Sequence, residues 1–488
     1  MNVICILLDS LNRHFLPAYG SRLANTPNLD RLARRSAVFD RNFIGSAPCM
    51  PARRDLWTGN QEFLWRPWGS LEPWDCPLPR VLRGSGVITQ LITDHYHLFE
   101  EGGENYHTDF DGWEFIRGHE NDPWVTQPSP KPDHLEILTD RYARNMTRLR
   151  READFFAPRT MTAAAQWLEE NCRQPAPWFL MIDEFDPHEP FHVPPPYDTM
   201  YDDHWQGPLL FWPRYGRRDF TEDQARHVRA LYAGKVTMVD HWLGRVLDQL
   251  DKFQLWDSTA VILMTDHGHF LGEHGWWGKP ACPPYNTIAH TPLMIHLPGD
   301  TGAGRRIDAL TTTVDLYTTI LDCFGLQPPA PVQGRSLLPL LRGEAQAVRD
   351  HVLYGWFGQW VGWTDGRLTY LRAPRGSNTP LAVYSQRWST APWWRLPKPE
   401  SVRMQWGAFI PGVPYAVGRM ELSPSEMAPL SCDPGAVCGD DFLFDLETDP
   451  DQRNNLASTP LAETCADKLR AALKADGAPP EQFARLGL

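Results

Sequence analysis

The sequence predicts an α/β protein: a central, mostly parallel sheet flanked by helices, with a smaller α+β domain at the C-terminal end. Three patterns predict it. Residues 3–8, 178–182 and 260–264 are apolar without interruption, as strands are when helices cover both faces of a parallel sheet. Around them, residues 160–171 and 221–250 carry the 3.6-residue apolar period of helices. From about residue 350 the chain turns to short alternating runs bounded by Gly, Pro or Asp, the mark of antiparallel strands. A chain of 488 residues exceeds one ordinary core. We therefore expect a larger domain over 1–349 and a smaller one over 350–488.

Bulk properties narrow the function. Hydrophobic residues make up 42% and charged residues 22%, the proportions of a soluble globular protein. The net charge of −13 argues against nucleic acid as a partner, while a few local cations can still hold an anionic substrate. No apolar run reaches the roughly 18 residues of a membrane span, and the run after Met1 is too short for a signal core. We expect a cytoplasmic protein with no membrane partner. Nine scattered cysteines fit reduced thiols, although Cys432 and Cys438 are close enough in sequence to pair. The 21 tryptophans cluster beside Pro and Gly; they either line a cleft or anchor long loops on the core.

In chain order, the first apolar run ends at Asp9. Open α/β sheets bind ligands at the carboxyl ends of their strands; the alternative is an ordinary helix cap. Thr26 or Asn28 then caps a helix that carries Leu29 and Leu32. After a strand-like run at residues 37–39 comes Cys49-Met50-Pro51-Ala52-Arg53. Pro51 suits a first helical turn, which puts Cys49 among unpaired N–H groups that attract anions. Arg53 adds a planar cationic fork. The plain alternative is a surface Cys in a turn.

Residues 78–82 read as a helix and 86–92 as a strand, ending in Thr93-Asp94-His95-Tyr96-His97. Residues 99–158 show little periodicity and read as an excursion above the sheet. The strand at 178–182 runs into Asp183 and then Asp186-Pro187-His188-Glu189-Pro190-Phe191. A histidine of near-neutral pKa in a proline-stiffened loop suits general acid work; Asp186 is placed to orient its ring, and His192 is the other candidate. The strand at 260–265 ends in Asp266-His267-Gly268. Beyond it come a glycine-rich stretch to Lys279, a strand at 290–295, a helix at 312–321, and a terminal helix at 461–473. A long Trp/Pro-rich insertion occupies 374–434.

These motifs, in this order, resemble the type I, formylglycine-dependent sulfatases of the alkaline phosphatase superfamily. The likeness lies in Cys49-x-Pro51-x-Arg53 with Leu56 and Thr58-Gly59, in Thr26-Pro27-Asn28-Leu29-Asp30-Arg31-Leu32, in Pro187-His188-x-Pro190-Phe191, in Asp266-His267, and in residues 271–279. It implies an alkaline-phosphatase-like fold and hydrolysis of a sulfate monoester. Cys49 would be oxidised to formylglycine by a formylglycine-generating enzyme. Catalytic roles fall on Cys49, Arg53, His188 and Lys279. One divalent metal ion, Ca²⁺ or Mn²⁺ with Zn²⁺ as a third choice, falls to Asp9, Cys49, Asp266 and His267. Asp240 matches a buried structural position.

The chain also departs from the pattern. Ser10 stands where relatives often have a second Asp, and Asp94 where many have a sulfate-gripping Lys. His97, Ser70 and His290 are the substrate-binding candidates. The implied substrate is a small-molecule or saccharide sulfate ester. Self-association is left open. The missing cations keep a phosphonate monoester or phosphodiester hydrolase of the same superfamily as the alternative, and a non-catalytic binder of sulfated ligands as a second.

Overall fold

The computed structural model describes residues 1–279, 282–388, 403–422 and 439–488. Strand β1 (Asn2–Leu8) forms the middle of a nine-stranded sheet. Its other members are β2 (Ala37–Phe43), β3 (Ile88–Thr93), β4 (Gly112–Phe115), β5 (Trp178–Glu184), β6 (Thr259–Met264), β7 (His290–Thr291), β8 (Leu293–His296) and β9 (Arg306–Thr312). The order is β7-β2-β8-β6-β1-β5-β3-β4, with β9 beside β2. The five strands from β6 to β4 run parallel, and β7 and β8 run against β2. The run read as one strand over 290–295 is two, because Pro292 has no N–H for the ladder.

The uninterrupted apolar runs have the reason expected of them. Along β1, Ile4, Ile6 and Leu8 enter one core, and Val3, Cys5 and Leu7 enter the other. Full burial of such a side chain contributes about 1.5–3 kcal/mol, so neither face of β1 can tolerate water. Helices α1 (Pro27–Arg35), α3 (Phe156–Asn171) and α4 (Glu222–Lys252) contribute to the first core. Helices α2 (Cys49–Thr58) and α5 (Asp315–Cys323) contribute to the second. Helix α4 starts with a reciprocal cap: the Thr221 hydroxyl accepts from the Gln224 N–H, and the Gln224 side chain accepts from the Thr221 N–H.

At α1, Thr26 holds the cap position but its side chain makes no cap bond. The Asp240 carboxylate of α4 replaces it, accepting from the N–H groups of Asn28 (3.1 Å) and Leu29 (2.6 Å). Asp240 is therefore a structural residue: a capping bond made across 210 residues of chain, which no local pattern announces.

The excursion over 99–158 supplies the edge strand β4 and a helix at Asp140–Met146. At the C-terminal end, β10 (Val352–Trp356), β11 (Val361–Thr364), β12 (Leu368–Arg372) and β13 (Phe442–Asp445) form an antiparallel sheet. Its last member is Ser46–Ala47, parallel to β10 and immediately before α2. The smaller sheet thus holds the approach to Cys49. The insertion after residue 374 contains a further three-stranded sheet, Ala382–Ser385, Val417–Glu421 and Arg403–Gly407. Helix α6 (Leu461–Ala475) packs on β12 and β10. Cys432 and Cys438 lie outside the described residues. Among the described residues no helix is long and apolar enough to cross a membrane.

Asp240→Ala should leave the first N–H groups of α1 without an acceptor and lower stability by about 1–2 kcal/mol. A urea titration checks this: the midpoint should fall while the slope is unchanged.

Candidate active site

The site forms where β1, β5 and β6 end side by side. Asp9 follows β1, Asp183 is the next-to-last residue of β5, and Asp266 follows β6; each is fully buried. Arg53, one turn after Cys49 on α2, reaches all three and is itself 0% exposed. Its Nε and Nη2 donate to the two Asp183 oxygens at 2.9 and 2.6 Å. Its Nη1 lies 3.0 Å from both Asp9 Oδ2 and Asp266 Oδ2 and donates to the Cys49 carbonyl at 3.2 Å. A bidentate guanidinium–carboxylate pair is a strong, rigid contact, so α2 is clamped at the sheet edge and Cys49 with it.

Cys49 Sγ sits 3.4 Å from His267 Nε2 and 3.2 Å from Lys279 Nζ. His267 Nδ1–H donates to the Gly268 carbonyl at 2.9 Å, which leaves Nε2 bare and free to ligate. Gly268 permits this turn: a Cβ there would lie 1.8 Å from the Thr287 carbonyl oxygen. Donor atoms of Asp9, Cys49, Asp266 and His267 all fall within 4.8 Å of one another. Asp9 Oδ2 makes no hydrogen bond among the described residues and is ion-paired with Arg53. Two carboxylates and an imidazole beside residue 49 in a buried group suit one divalent cation.

The electrostatics agree. Burial pushes the Asp9 carboxyl well above the usual range, and the Asp266 charge adds to it. Burial opposes the Asp266 charge as well, but His267 and Arg53 outweigh it and hold that carboxyl low. Burial takes His267 down to about 4. The Lys279 ammonium is retained: burial works against it, but Cys49, Glu189 and Asp9 lift its pKa. Burial and the Asp9 carboxylate push the Cys49 thiol well up.

His188 Nδ1 donates to the Glu189 carbonyl. Burial and the Lys279 charge drive its pKa well below 6.5, a correction to the near-neutral value expected of it. Asp186 does not orient the His188 ring; it takes His119 Nε2 and Lys235 Nζ instead. The Glu189 carboxylate lies 3.5 Å from His188 Nδ1 and 3.3 Å from His269 Nδ1, and accepts from the Tyr215 hydroxyl.

Two substrate-binding candidates, His97 and His290, are placed differently from expectation. His97 is held between Glu100 and Glu120; burial opposes its charge, yet these bonds raise it to about 9. The histidine that faces the carboxylates is His95, fully buried, with Nε2 3.6 Å from Asp9 Oδ2. The reason is the chain path: β3 stops at Thr93 and the backbone turns into a 3₁₀ turn at Tyr96–Phe99, so strand alternation cannot be extrapolated to residue 97. His290 stacks on Phe43 and contacts Arg13 and the Asp40 carbonyl, because β7 pairs it with Phe43 on β2. Ser70 is buried in a loop whose own carbonyl binds Arg66; Tyr106 ties that loop to Met50 through the Gly69 carbonyl.

Sequence reasoning assigned no role to Asp183, His95, Glu189, His269 or Tyr215. Asp183 was findable, since it ends an apolar strand as Asp9 and Asp266 do. The others depend on loop paths.

Comparison with known proteins shows the family. Residues 1–326 match the family model Sulfatase. The chain belongs to the sulfatase family. It is a hydrolase of the alkaline phosphatase superfamily, as its relatives and fold neighbours are. Human iduronate 2-sulfatase is 26% identical over 389 residues, 71% of this chain and 69% of that protein. The multifunctional alkaline phosphatase superfamily protein PehA of Trinickia caryophylli is 29% identical, over 70% of this chain and 77% of that one. Choline-sulfatase of Rhizobium meliloti is 27% identical, over 70% and 72%. Among solved structures, phosphonate monoester hydrolase of Agrobacterium radiobacter superposes with a TM-score of 0.69 at 21% identity, covering 98% of this chain and 96% of that one. A structure in complex with its substrate D-glucosamine-2-N,6-O-disulfate gives 0.67 at 18% identity, covering 97% of each. Family members thus share the sheet that brings these strand ends together.

Asp183→Ala should leave the Arg53 fork half-paired and cost about 3–5 kcal/mol, read as a fall in the denaturant midpoint. Acid should destabilise the fold through His192. Burial and Lys235 hold its pKa at about 4, against an ordinary 6.5, so the unfolded chain takes up that proton first and stability falls as pH drops from 6.5 toward 4. His192→Gln should flatten that part of a plot of Tm against pH; an unchanged slope would show that His192 does not contribute.

Proposed function

We propose that this protein hydrolyses sulfate monoesters at sulfur, with formylglycine made from Cys49 as the nucleophilic residue. The observation that carries this reading is the placement of residue 49 between the Asp9–Asp266–His267 donors and the Lys279 ammonium. As a thiol the residue suits the task poorly, because its raised pKa leaves it neutral. Converted to an aldehyde, it would supply a hydrated oxygen nucleophile and a second hydroxyl able to expel sulfate. Cys49 is only 1% exposed in the fold, so a formylglycine-generating enzyme would have to act before the chain closes.

A divalent cation held by Asp9, Asp266, His267 and residue 49 would act as a Lewis acid on nucleophile and ester. The imidazole donor favours Mn²⁺ or Zn²⁺ over the all-oxygen shell typical of Ca²⁺. The remaining work falls to the chain. Arg53 holds the carboxylates in place and cannot lose its proton. Lys279 Nζ stabilises negative charge beside residue 49. His188 keeps its Nδ1–H on the Glu189 carbonyl and presents Nε2. An arriving anionic ester favours the imidazolium, which can then protonate the leaving oxygen. His95, whose ring nitrogens make no hydrogen bond among the described residues and whose Nε2 lies 3.6 Å from Asp9 Oδ2, would be available to donate to the ester.

Names of relatives support a small-molecule or saccharide sulfate ester as the substrate class: iduronate, choline and glucosamine sulfates occur among them. Cys5, Cys49, Cys76, Cys172, Cys323 and Cys465 are free thiols, the state kept in a reducing compartment such as the cytoplasm.

One observation favours a second reading, a phosphonate monoester or phosphodiester hydrolase. Asp94 supplies no cation, and its Oδ1 is turned to the Phe185 N–H at 2.6 Å. A site with fewer cations suits any ester of single negative charge, which describes sulfate monoesters and phosphodiesters alike. Comparing kcat/KM on an aryl sulfate and an aryl phosphodiester separates the two. A non-catalytic binder of sulfated ligands would instead retain the thiol.

The mass of the peptide holding Cys49 should show sulfur exchanged for oxygen and two hydrogens lost; an intact thiol in active enzyme would overturn the mechanism. Cys49→Ala should lower kcat/KM at least about 10⁴-fold. His188→Ala should lower kcat about 10²–10⁴-fold on an alkyl sulfate and far less on a nitrophenyl sulfate, whose leaving group needs no proton. Equal losses on both would remove His188 from the acid role.

A further inference from the structure

Behind the His188 loop lies a second buried cluster that the proposed reaction does not use. Asp94 follows β3, Asp186 follows β5, and His119 comes from the loop after β4. All three are 0% exposed, and one donor atom of each lies within 4.8 Å of the others. His119 Nε2 is 2.8 Å from Asp186 Oδ1. Glu184, also 0% exposed, is the last residue of β5, and its carboxylate accepts from the Asp186 N–H at 3.4 Å.

In the first site Asp9, Asp183 and Asp266 are set against Arg53 and Lys279, with His95 and His267 beside them. Here the buried carboxylates are set against Lys235, with His119 on Asp186. Lys235 Nζ pairs with Asp186 Oδ1 at 2.6 Å and donates to the carbonyls of His188 (2.7 Å) and Pro190 (2.6 Å). Its bonds are taken up there. Arg159, whose guanidinium donates to the Arg117 carbonyl, is a second cation acting on Asp94. Asp94 Oδ2, Asp186 Oδ2 and His119 Nδ1 have no hydrogen-bond partner among the described residues. Buried polar atoms left without a bond are costly unless they coordinate a metal.

We propose that Asp94, His119 and Asp186 hold a second divalent cation, distinct from the one at residue 49. Two carboxylate oxygens and an imidazole nitrogen belong to the Mn²⁺/Zn²⁺ class of donor set. The ion would join the ends of β3 and β5 to the loop after β4. Through Asp186 and Lys235 it would brace the backbone of His188. This holds whether or not Cys49 is converted, since it uses none of the residues around Cys49.

The test is metal stoichiometry of the full chain. Protein stripped with chelator is dialysed against micromolar Mn²⁺ and, separately, Zn²⁺, and bound metal is measured by plasma mass spectrometry. Wild type should hold two equivalents per chain with at least one of the ions. Asp9→Asn combined with Asp266→Asn should retain one, and His119→Gln should retain one, with Asp94→Asn as the substitute should His119→Gln fail to fold. A double variant that binds neither ion overturns the proposal. So does a His119→Gln protein that holds as much metal as wild type.

Discussion

The Arg53 guanidinium is the contact on which the rest of the site depends. Three parallel strands end side by side, and each brings a carboxylate to the same buried edge. Without a cation of fixed shape among them, Asp9, Asp183 and Asp266 would repel one another where water cannot screen them. Arg53 satisfies Asp183 with one side of its fork and places Nη1 between the other two. Because it stands four residues after Cys49 on α2, the same side chain that neutralises the carboxylates also sets the position of residue 49. A lysine, with one point charge and no fork, could not perform both tasks.

Burial then makes the surrounding groups behave differently from their counterparts in water. Asp9 is pushed up and Asp266 held down, Lys279 keeps its proton, and His188 and His267 arrive neutral. A neutral His267 with its Nδ1–H on a carbonyl is the form a ligand requires. Low dielectric strengthens each of these interactions, and their fixed geometry means little reorganisation is needed when charge moves.

The comparison between sequence and structure is clearest at particular positions. Asp9 and Asp266 were legible because a polar residue that ends an apolar run must lie at the carboxyl edge of the sheet. Cys49 and Arg53 were legible because Pro51 marks a first helical turn and the Cys-x-Pro-x-Arg pattern resembles the sulfatase signature. His97 and His290 fared otherwise. The first depends on where β3 stops, the second on which residue of β2 it faces, and neither is a property of local sequence. Asp186 was assigned to His188 by proximity in the chain, whereas tertiary packing gives it to Lys235 of α4 and His119. The Trp/Pro-rich insertion hid a three-stranded sheet, since its short strands carry little alternation.

Taken alone, the sequence determined the fold class, the succession of buried strands, and the kind of residue that would end each one. Hydrophobic periodicity and strand length are local properties, and water enforces them wherever the chain goes. Tertiary structure alone decided the partners: that Asp240 caps α1, that Asp183 holds Arg53, that His95 rather than His97 faces Asp9, and that Ser46–Ala47 joins the C-terminal sheet. Those contacts cross from about 85 to more than 300 residues of chain, and their energy exists only once the backbone has brought the two ends within a few ångströms.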